Sequence, residues 1–501
     1  MVAQTGLSRR AVLKSSAGGS AFLAMSACGG AKSGGPNNNW IDGIETARRI
    51  KRGDVTAIDI VATAIERAKT INPAINAIAA ETYDTAQVAA AEGRAGPFGG
   101  VPSFVKDLAS VAGQPTQYGS RAFAKYVSDQ QPPLVDAFFE SGFISLGKST
   151  TPEFGLTGTT ESLLHGPTRN PWNLNHTAGG SSGGAAALVA SGVVPVAHAS
   201  DGAGSIRVPS SCCGLVGLKA TRGRTPVARL SEAPPLELSS QGCVSRTVRD
   251  SAAFLAAITA ASGEAGGNGI KMVTRPVSDR LRIGFHIRPA IGVDVAPEVE
   301  EATRKVAVLC EDLGHKVDEI DTPYDASFFS DMTLLFSAGA AQAVGEWTEL
   351  SGKAPTYSHF EPLTFDLLRY YEAHKVSFES TVQRMSSFGP IYEAGFADYD
   401  IILSPTLARL PPEIGHLRTD LDWDTMYSRV TAFSPFTPAQ NVAGTPAISL
   451  PLSQAPGGLP IGAQFSAKSG GDELLLALAY ELEEASPWIE RQPPLFAKFE
   501  G

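Results

Sequence analysis

Gly179-Gly-Ser-Ser-Gly-Gly184 and, further on, Ser200-Asp-Gly-Ala-Gly-Ser-Ile-Arg207 set two serines, Ser181 and Ser205, among glycines 24 positions apart. Glycine lets backbone approach another group closely and adopt dihedrals closed to other residues. The first run continues into Ala185-Ala186-Ala187-Leu188-Val189-Ala190, an apolar helix-forming stretch that a free linker would not carry. A serine is a weak nucleophile until a neighbouring group takes its proton. Lys106, in Gly99-Gly-Val-Pro-Ser-Phe-Val-Lys-Asp107, stands 75 positions before Ser181 and is a candidate for that task.

Working outward, apolar residues recur at helical spacing from about Ile41 to Ala91, with Thr56 and Asp59 forming a capping-box variant and Asn72-Pro73 expected to end a helix. Phe143-Ile144-Ser145-Leu146 reads as a buried strand, and Gly263–Gly269 as an internal linker. Strands are expected at Leu281–Phe285, Ile401–Leu403, Ala447–Leu450 and Ile461–Phe465, and helices at Pro297–Leu313 and Glu473–Glu484. A mostly helical region spans about 325–395 and carries the aromatics Phe365, Tyr370, Tyr371 and Phe378. Strands interleaved with helices make an α/β layer fold.

Two motif matches fail on context. Gly142-Phe-Ile-Ser-Leu-Gly-Lys-Ser149 has phosphate-loop spacing, but its inner positions are strand-like and Thr151-Pro152 does not open a helix. Gly179-Gly-Ser-Ser-Gly183 fits G-x-S-x-G, but the preceding Asn170–His176 reads as a polar loop rather than the strand a nucleophile elbow needs. The five cysteines form no CxxC pair, and no histidine pair has metal-ligand spacing. Cys212, Cys213, Cys243 and Cys310 are expected as reduced, buried thiols.

Taken together, Lys106, Ser181 and Ser205, with Gly166–Trp172, Gly214–Lys219 and Gly223-Arg224 around them, resemble the amidase signature family over residues 40–495. The run from His198 to Pro226 is most similar to the branch of cyclic-amide and nylon-oligomer hydrolases that includes 6-aminohexanoate cyclic-dimer hydrolase. The resemblance implies a large mixed central β-sheet covered by helices on both faces. It implies a Ser–cis-Ser–Lys triad in which Ser205 attacks, Ser181 relays protons across a cis Gly180–Ser181 bond, and Lys106 is the base. Gly202, Ala203, Gly204 and Ser205 would supply an oxyanion hole, with Gly180, Ser182, Asp201 and Arg207 in support. The family usually has glycine at position 203, so Ala203 fits at a negative φ or under strain.

The implied reaction is hydrolysis of small or linear amides (aryl or aliphatic amides, amide oligomers, carbamates, esters) through an acyl-enzyme, with no metal and no cofactor. An amidotransferase-type subunit and a catalytically inactive exported binding lipoprotein are the alternatives. The pocket is expected near Tyr118, in Phe154–Glu161 and in the helical region.

The N-terminus reads as an address. Ser8-Arg-Arg-Ala-Val-Leu-Lys14 has twin-arginine order, and an apolar run too short to span a bilayer follows. Met25-Ser-Ala-Cys28 resembles a lipoprotein cleavage box. Residues 1–27 are therefore read as a signal peptide, 28–39 as a flexible tether and 40–495 as one amidase domain. The protein is expected in the periplasm or cell envelope, its membrane contact confined to a lipid on Cys28. Without Arg9, Arg10 and Lys14, 38 basic residues face 51 acidic ones, a net charge of −13. That balance disfavours a nucleic-acid partner. The partner read from the sequence is a small amide substrate. The oligomeric state stays open, a homodimer included.

Overall fold

The computed structural model describes residues 41–231, 233–261 and 269–497, so the signal, the tether and most of the Gly263–Gly269 linker lie outside the described residues. The chain divides into Met1–Asn39 and Trp40–Gly501, and every described residue belongs to the second unit.

Eight strands form the main sheet. In spatial order they are Lys316–Glu319, Arg282–Phe285, Ile401–Pro405, Pro460–Ser466, Ala447–Gln454, Val216–Lys219, Ser240–Ser245 and Val196–Asp201. The first three run parallel and the remaining pairings are antiparallel, which makes the sheet mixed. Successive side chains on a strand point to opposite faces. Val196 accordingly joins one apolar cluster, with Val248, Leu475 and Leu482 of covering helices, while Ala197 and Ala199 join another, with Ala185–Ala190. Both faces are thus packed by helices, as expected.

Residues 41–91 depart from the helical reading in two places. Strand Ile78–Glu81 interrupts them, pairing antiparallel with Ile144–Ser149. Pro73 does not stop its helix, which continues to Ile75. Asn76 turns left-handed there, and Asn72 Oδ1 accepts from the amides of Ala77 and Ile78. The Thr56 cap is present: its Oγ1 accepts from the Asp59 amide and donates to the Asp59 carboxylate.

The phosphate-loop match is excluded. Ile144–Ser149 is a buried strand followed by a single 3₁₀ turn at Glu153–Gly155, so no helix N-terminus faces a phosphate. Asn170–His176 is corrected from loop to ribbon: Asn173–Thr177 pairs with Arg169–Asn170. The four described cysteines are free and buried.

A three-stranded sheet, Ile78–Glu81, Ile144–Ser149 and Pro102–Lys106, sits beside the main one. Ser103 Oγ donates to the Val196 carbonyl, and the Lys106 amide donates to His198 Nδ1. These cross-links lay strand Pro102–Lys106 along the first half of strand Val196–Asp201, so that the Lys106 amine reaches Ser200 near that strand's end.

Candidate active site

Lys106 ends its strand fully buried. Its Nζ lies 2.7 Å from Ser181 Oγ and 3.0 Å from Ser200 Oγ. Burial lowers this lysine from its ordinary value to about 7, against the opposing attraction of Asp201. His198, on the same face of its strand as Ser200, is pushed down to about 3 by burial and stays neutral. Since Nδ1 accepts from the Lys106 amide, Nε2 carries the proton toward Gln241. Two other buried lysines are held elsewhere: Lys148 by the Ala109 carbonyl, the Thr116 hydroxyl and the Asp107 carboxylate, and Lys219 by the carbonyls of Ala220 and Thr445. Lys106 alone among these three reaches a serine at the cavity wall.

Ser181 is nearly buried, and the Gly180–Ser181 peptide bond is cis. Position 180 requires glycine, because a Cβ would fall 2.4 Å from the Thr159 carbonyl oxygen. The Thr160 hydroxyl fixes the loop from both sides, donating to the Gly179 carbonyl and accepting from the Gly183 amide. Ser182 Oγ donates to the Ser200 carbonyl at 3.2 Å, tying the loop to the strand that leads to Ser205. The all-buried helix Gly183–Ala190 follows. Small side chains let it sit in the core while Ser181, just before its start, reaches Lys106 at the cavity wall.

The second glycine run is organised by Asp201. Its carboxylate accepts from the amides of Gly204 (2.7 Å), Ile206 (3.2 Å) and Arg207 (3.4 Å), and pairs with the Arg207 guanidinium at 2.9 Å. Burial pushes the Asp201 carboxyl up, but Arg207, Lys219 and Asn441 outweigh it and hold it well below the carboxylate range. Arg207, also fully buried, spends its remaining donors on Gln440, Gln464 and Asn441. Removing one partner of such a pair strands the other charge without solvent. Arg207→Ala is expected to lower stability by about 3–5 kcal/mol, read as a drop in the urea unfolding midpoint.

This arrangement corrects one expected donor. The Gly204 amide is committed to Asp201 and is not free to receive an oxyanion. Its φ of +125° turns it inward, and a Cβ there would lie 2.2 Å from Thr437 Oγ1. The amides of Gly202, Ala203 and Ser205 donate to no protein acceptor among the described residues. Ala203 is not among the residues with positive φ, so the alanine brings no backbone strain. Thr437 Oγ1 donates to its carbonyl at 2.7 Å and fixes that peptide plane.

Ser205 sits half-buried where two cavities meet. One, of about 140 Å³, is lined by Phe329, Met332, Leu363, Leu367, Trp423 and Met426, among others. The other, of about 660 Å³, opens past Tyr118, Phe154, Ser181, Ser200, Gln342 and Glu346. The expected segments near Tyr118, after Phe154 and in the helical region all contribute. Of the four aromatics singled out there, only Phe378 lines a cavity; Phe365 packs on Tyr357, Tyr370 stacks on His374, and Tyr371 meets Phe378 edge-on.

Sequence reasoning missed Ser200, Thr437 and the wall from Trp423 to Thr431. Ser200 was accessible through strand alternation with His198. The others lie more than 200 positions from Ser205 and come together only in the fold.

A sequence profile described as Amidase matches residues 59–476. The Mycobacterium tuberculosis protein AmiC is 40% identical over 461 residues, covering 91% of this chain and 97% of its own. The 6-aminohexanoate-cyclic-dimer hydrolase of Paenarthrobacter ureafaciens is 34% identical over 484 residues, with 91% and 97% covered. A solved 6-aminohexanoate cyclic dimer hydrolase with bound substrate superposes with a TM-score of 0.83 at 31% identity, covering 92% of this chain and all of that one.

Proposed function

The chain belongs to the amidase family, and from that premise we propose that Ser205 is its nucleophile, Ser181 its proton relay and Lys106 its base. The protein is an amidase, a hydrolase of carbon–nitrogen bonds in amides; relatives named as acylamidase and as 6-aminohexanoate-cyclic-dimer hydrolase cover nine-tenths of it. The observation that carries the proposed roles is the 2.7 Å contact between a fully buried lysine amine and Ser181 at the cavity that also holds Ser205.

In the proposed cycle, Ser205 Oγ attacks the amide carbon as Ser181 takes its proton and passes its own to Lys106. Amides of Gly202, Ala203 and Ser205 receive the negative charge that develops on the carbonyl oxygen. Each such donor is worth roughly 3–4 kcal/mol in known acyl-transfer sites. Ser181 then returns a proton to the departing nitrogen, and water reverses the sequence to free the acid. Ser200, whose hydroxyl reaches the Lys106 amine, holds that amine on Ser181. Gly180, Ser182, Asp201 and Arg207 shape the two loops. Residues 40–495 would form the catalytic domain.

The sign of the pH effect follows from the base. Lys106 acts only when unprotonated, and burial places it near 7. With hexanoyl anilide, kcat/KM is expected to climb tenfold per pH unit below about 7 and to level above it. A flat profile from pH 5 to 8 would count against the proposed base.

The amidotransferase and binding-lipoprotein alternatives gain no specific support from the site. We also propose that residues 1–27 direct twin-arginine export and that Cys28 is lipidated, on the order of their charged, apolar and small residues. Labelled palmitate should enter the wild-type protein and not Cys28→Ala; its absence from wild type would contradict the anchor.

A further inference from the structure

The two cavities differ in what they hold beside Ser205, and the difference assigns the two halves of the substrate. This step rests on the catalytic reading above. In the tetrahedral adduct the departing nitrogen must face the group that protonates it. Ser181 and Ser200 line the wide cavity and not the narrow one; Ala203, Gly204 and Val208 line the narrow one and not the wide. The amine half therefore extends into the wide cavity and the acyl half into the narrow one.

Charge then separates the substrates. No Asp, Glu, Lys, Arg or His is among the described residues lining the narrow cavity. An ionised group carried there has no counter-charge and loses its water. The described lining of the wide cavity holds no Lys, Arg or His either, but it holds two carboxylates, Glu237 and Glu346. Arg229 neutralises Glu237. Among the described residues no cation pairs with Glu346: its hydrogen-bond partner is the Gln342 side chain, 2.9 Å away on the same helix. Burial is the main cause that pushes the Tyr118 phenol up, with Tyr126, Asp107 and, least, Glu346 adding to it. Glu346 is exposed, so its field meets the outer end of a leaving group rather than the scissile bond.

We infer that the preferred substrate is an N-acyl amine with an uncharged, apolar acyl chain and a leaving half that ends in a cation, as in a monoacylated diamine. The bond broken is the amide C–N bond; water supplies the hydroxyl to the acid and the proton to the released amine.

Two matched series test this. In the first, hexanoic acid is coupled to 1,5-diaminopentane, pentylamine or 5-aminopentanoate. In the second, pentylamine is acylated by 6-aminohexanoyl, hexanoyl or adipoyl groups. Amine release gives kcat/KM for each. We expect the hexanoyl diamine to exceed the hexanoyl aminopentanoate by about tenfold at low salt, with the neutral amide between. That ratio should shrink severalfold in 0.5 M NaCl and in Glu346→Gln, since exposed charges are screened within a few ångströms at such salt. Both charged acyl groups should fall about 100-fold below hexanoyl, and Glu346→Gln should not alter their ranking.

Equal rates for cationic and anionic leaving groups would overturn the inference, as would a ratio that Glu346→Gln leaves unmoved. A Glu346 effect on acyl charge instead would reverse the assignment of the halves and overturn it too. The control is hexanoyl pentylamide with Ser205→Ala. Charge-blind hydrolysis that still depends on Ser205 defeats this inference alone, whereas hydrolysis surviving Ser205→Ala defeats the catalytic reading beneath it.

Discussion

Replacing Ser205 by alanine is expected to lower kcat on a simple amide by about 10⁵–10⁶-fold, with the folded state intact. The magnitude follows from the role. A serine nucleophile and its base work as one unit, so losing the nucleophile forfeits the covalent route entirely, and only binding and oxyanion donors remain. The fold should tolerate the change, because Ser205 Oγ bonds to no protein group among the described residues and lies open to both cavities. The loop's conformation is set elsewhere, by Asp201, Arg207 and Thr437. A steady-state assay beside a thermal melt would show a large loss of rate with little change in melting. A variant within tenfold of wild type would remove Ser205 from the chemistry.

Lys106→Met should cost less than that but still about 10³–10⁴-fold in kcat. Methionine fills a similar volume without a titratable group, so the buried site keeps its packing. Lys106→Arg is the sharper arm of the same experiment. A guanidinium cannot give up its proton in a protein, so arginine keeps hydrogen-bond donors beside Ser181 while abolishing the base. If Lys106 served only to hold Ser181 in place at 2.7 Å, arginine would retain much of the rate. If it is the base, arginine should be as inactive as methionine, and the limb of the pH profile near 7 should vanish in both. Circular dichroism on each variant separates a lost base from a lost fold.

Much of this architecture was readable in the chain because its signals are local. The strands at Ile401–Leu403 and Ala447–Leu450 and the helix after Pro297 are bounded by their own patterning, and each appears within a few residues of its expected place. Strand Ile78–Glu81 was not legible. Its four residues continue an alanine-rich stretch, and only pairing with Ile144–Ser149 makes them extended. Pro73 misled for a related reason: a proline ends a helix only when the next turn finds no other stabilisation, and here Asn72 and Asn76 provide it.

The site divides along the same line. Lys106, Ser181 and Ser205 were marked by their glycine and serine contexts. The commitment of the Gly204 amide to Asp201 was not, since four successive small residues look alike until a carboxylate selects one amide. Ala203 looked like a weakness in the loop and carries no strain there. Likewise, no pattern within the chain joins Trp423 or Met426 to Phe329; tertiary packing alone makes them one wall.

The central claim is that Ser205, and not the equally glycine-flanked Ser181, forms the acyl-enzyme. Wild-type protein mixed with an activated hexanoyl ester, quenched in acid within milliseconds and mapped by peptide mass spectrometry measures this directly. The account predicts one hexanoyl group on the peptide containing Ser205, absent from Ser205→Ala and still formed, more slowly, in Ser181→Ala. A hexanoyl group on Ser181 in the wild-type enzyme, or labelling that persists in Ser205→Ala, would contradict it.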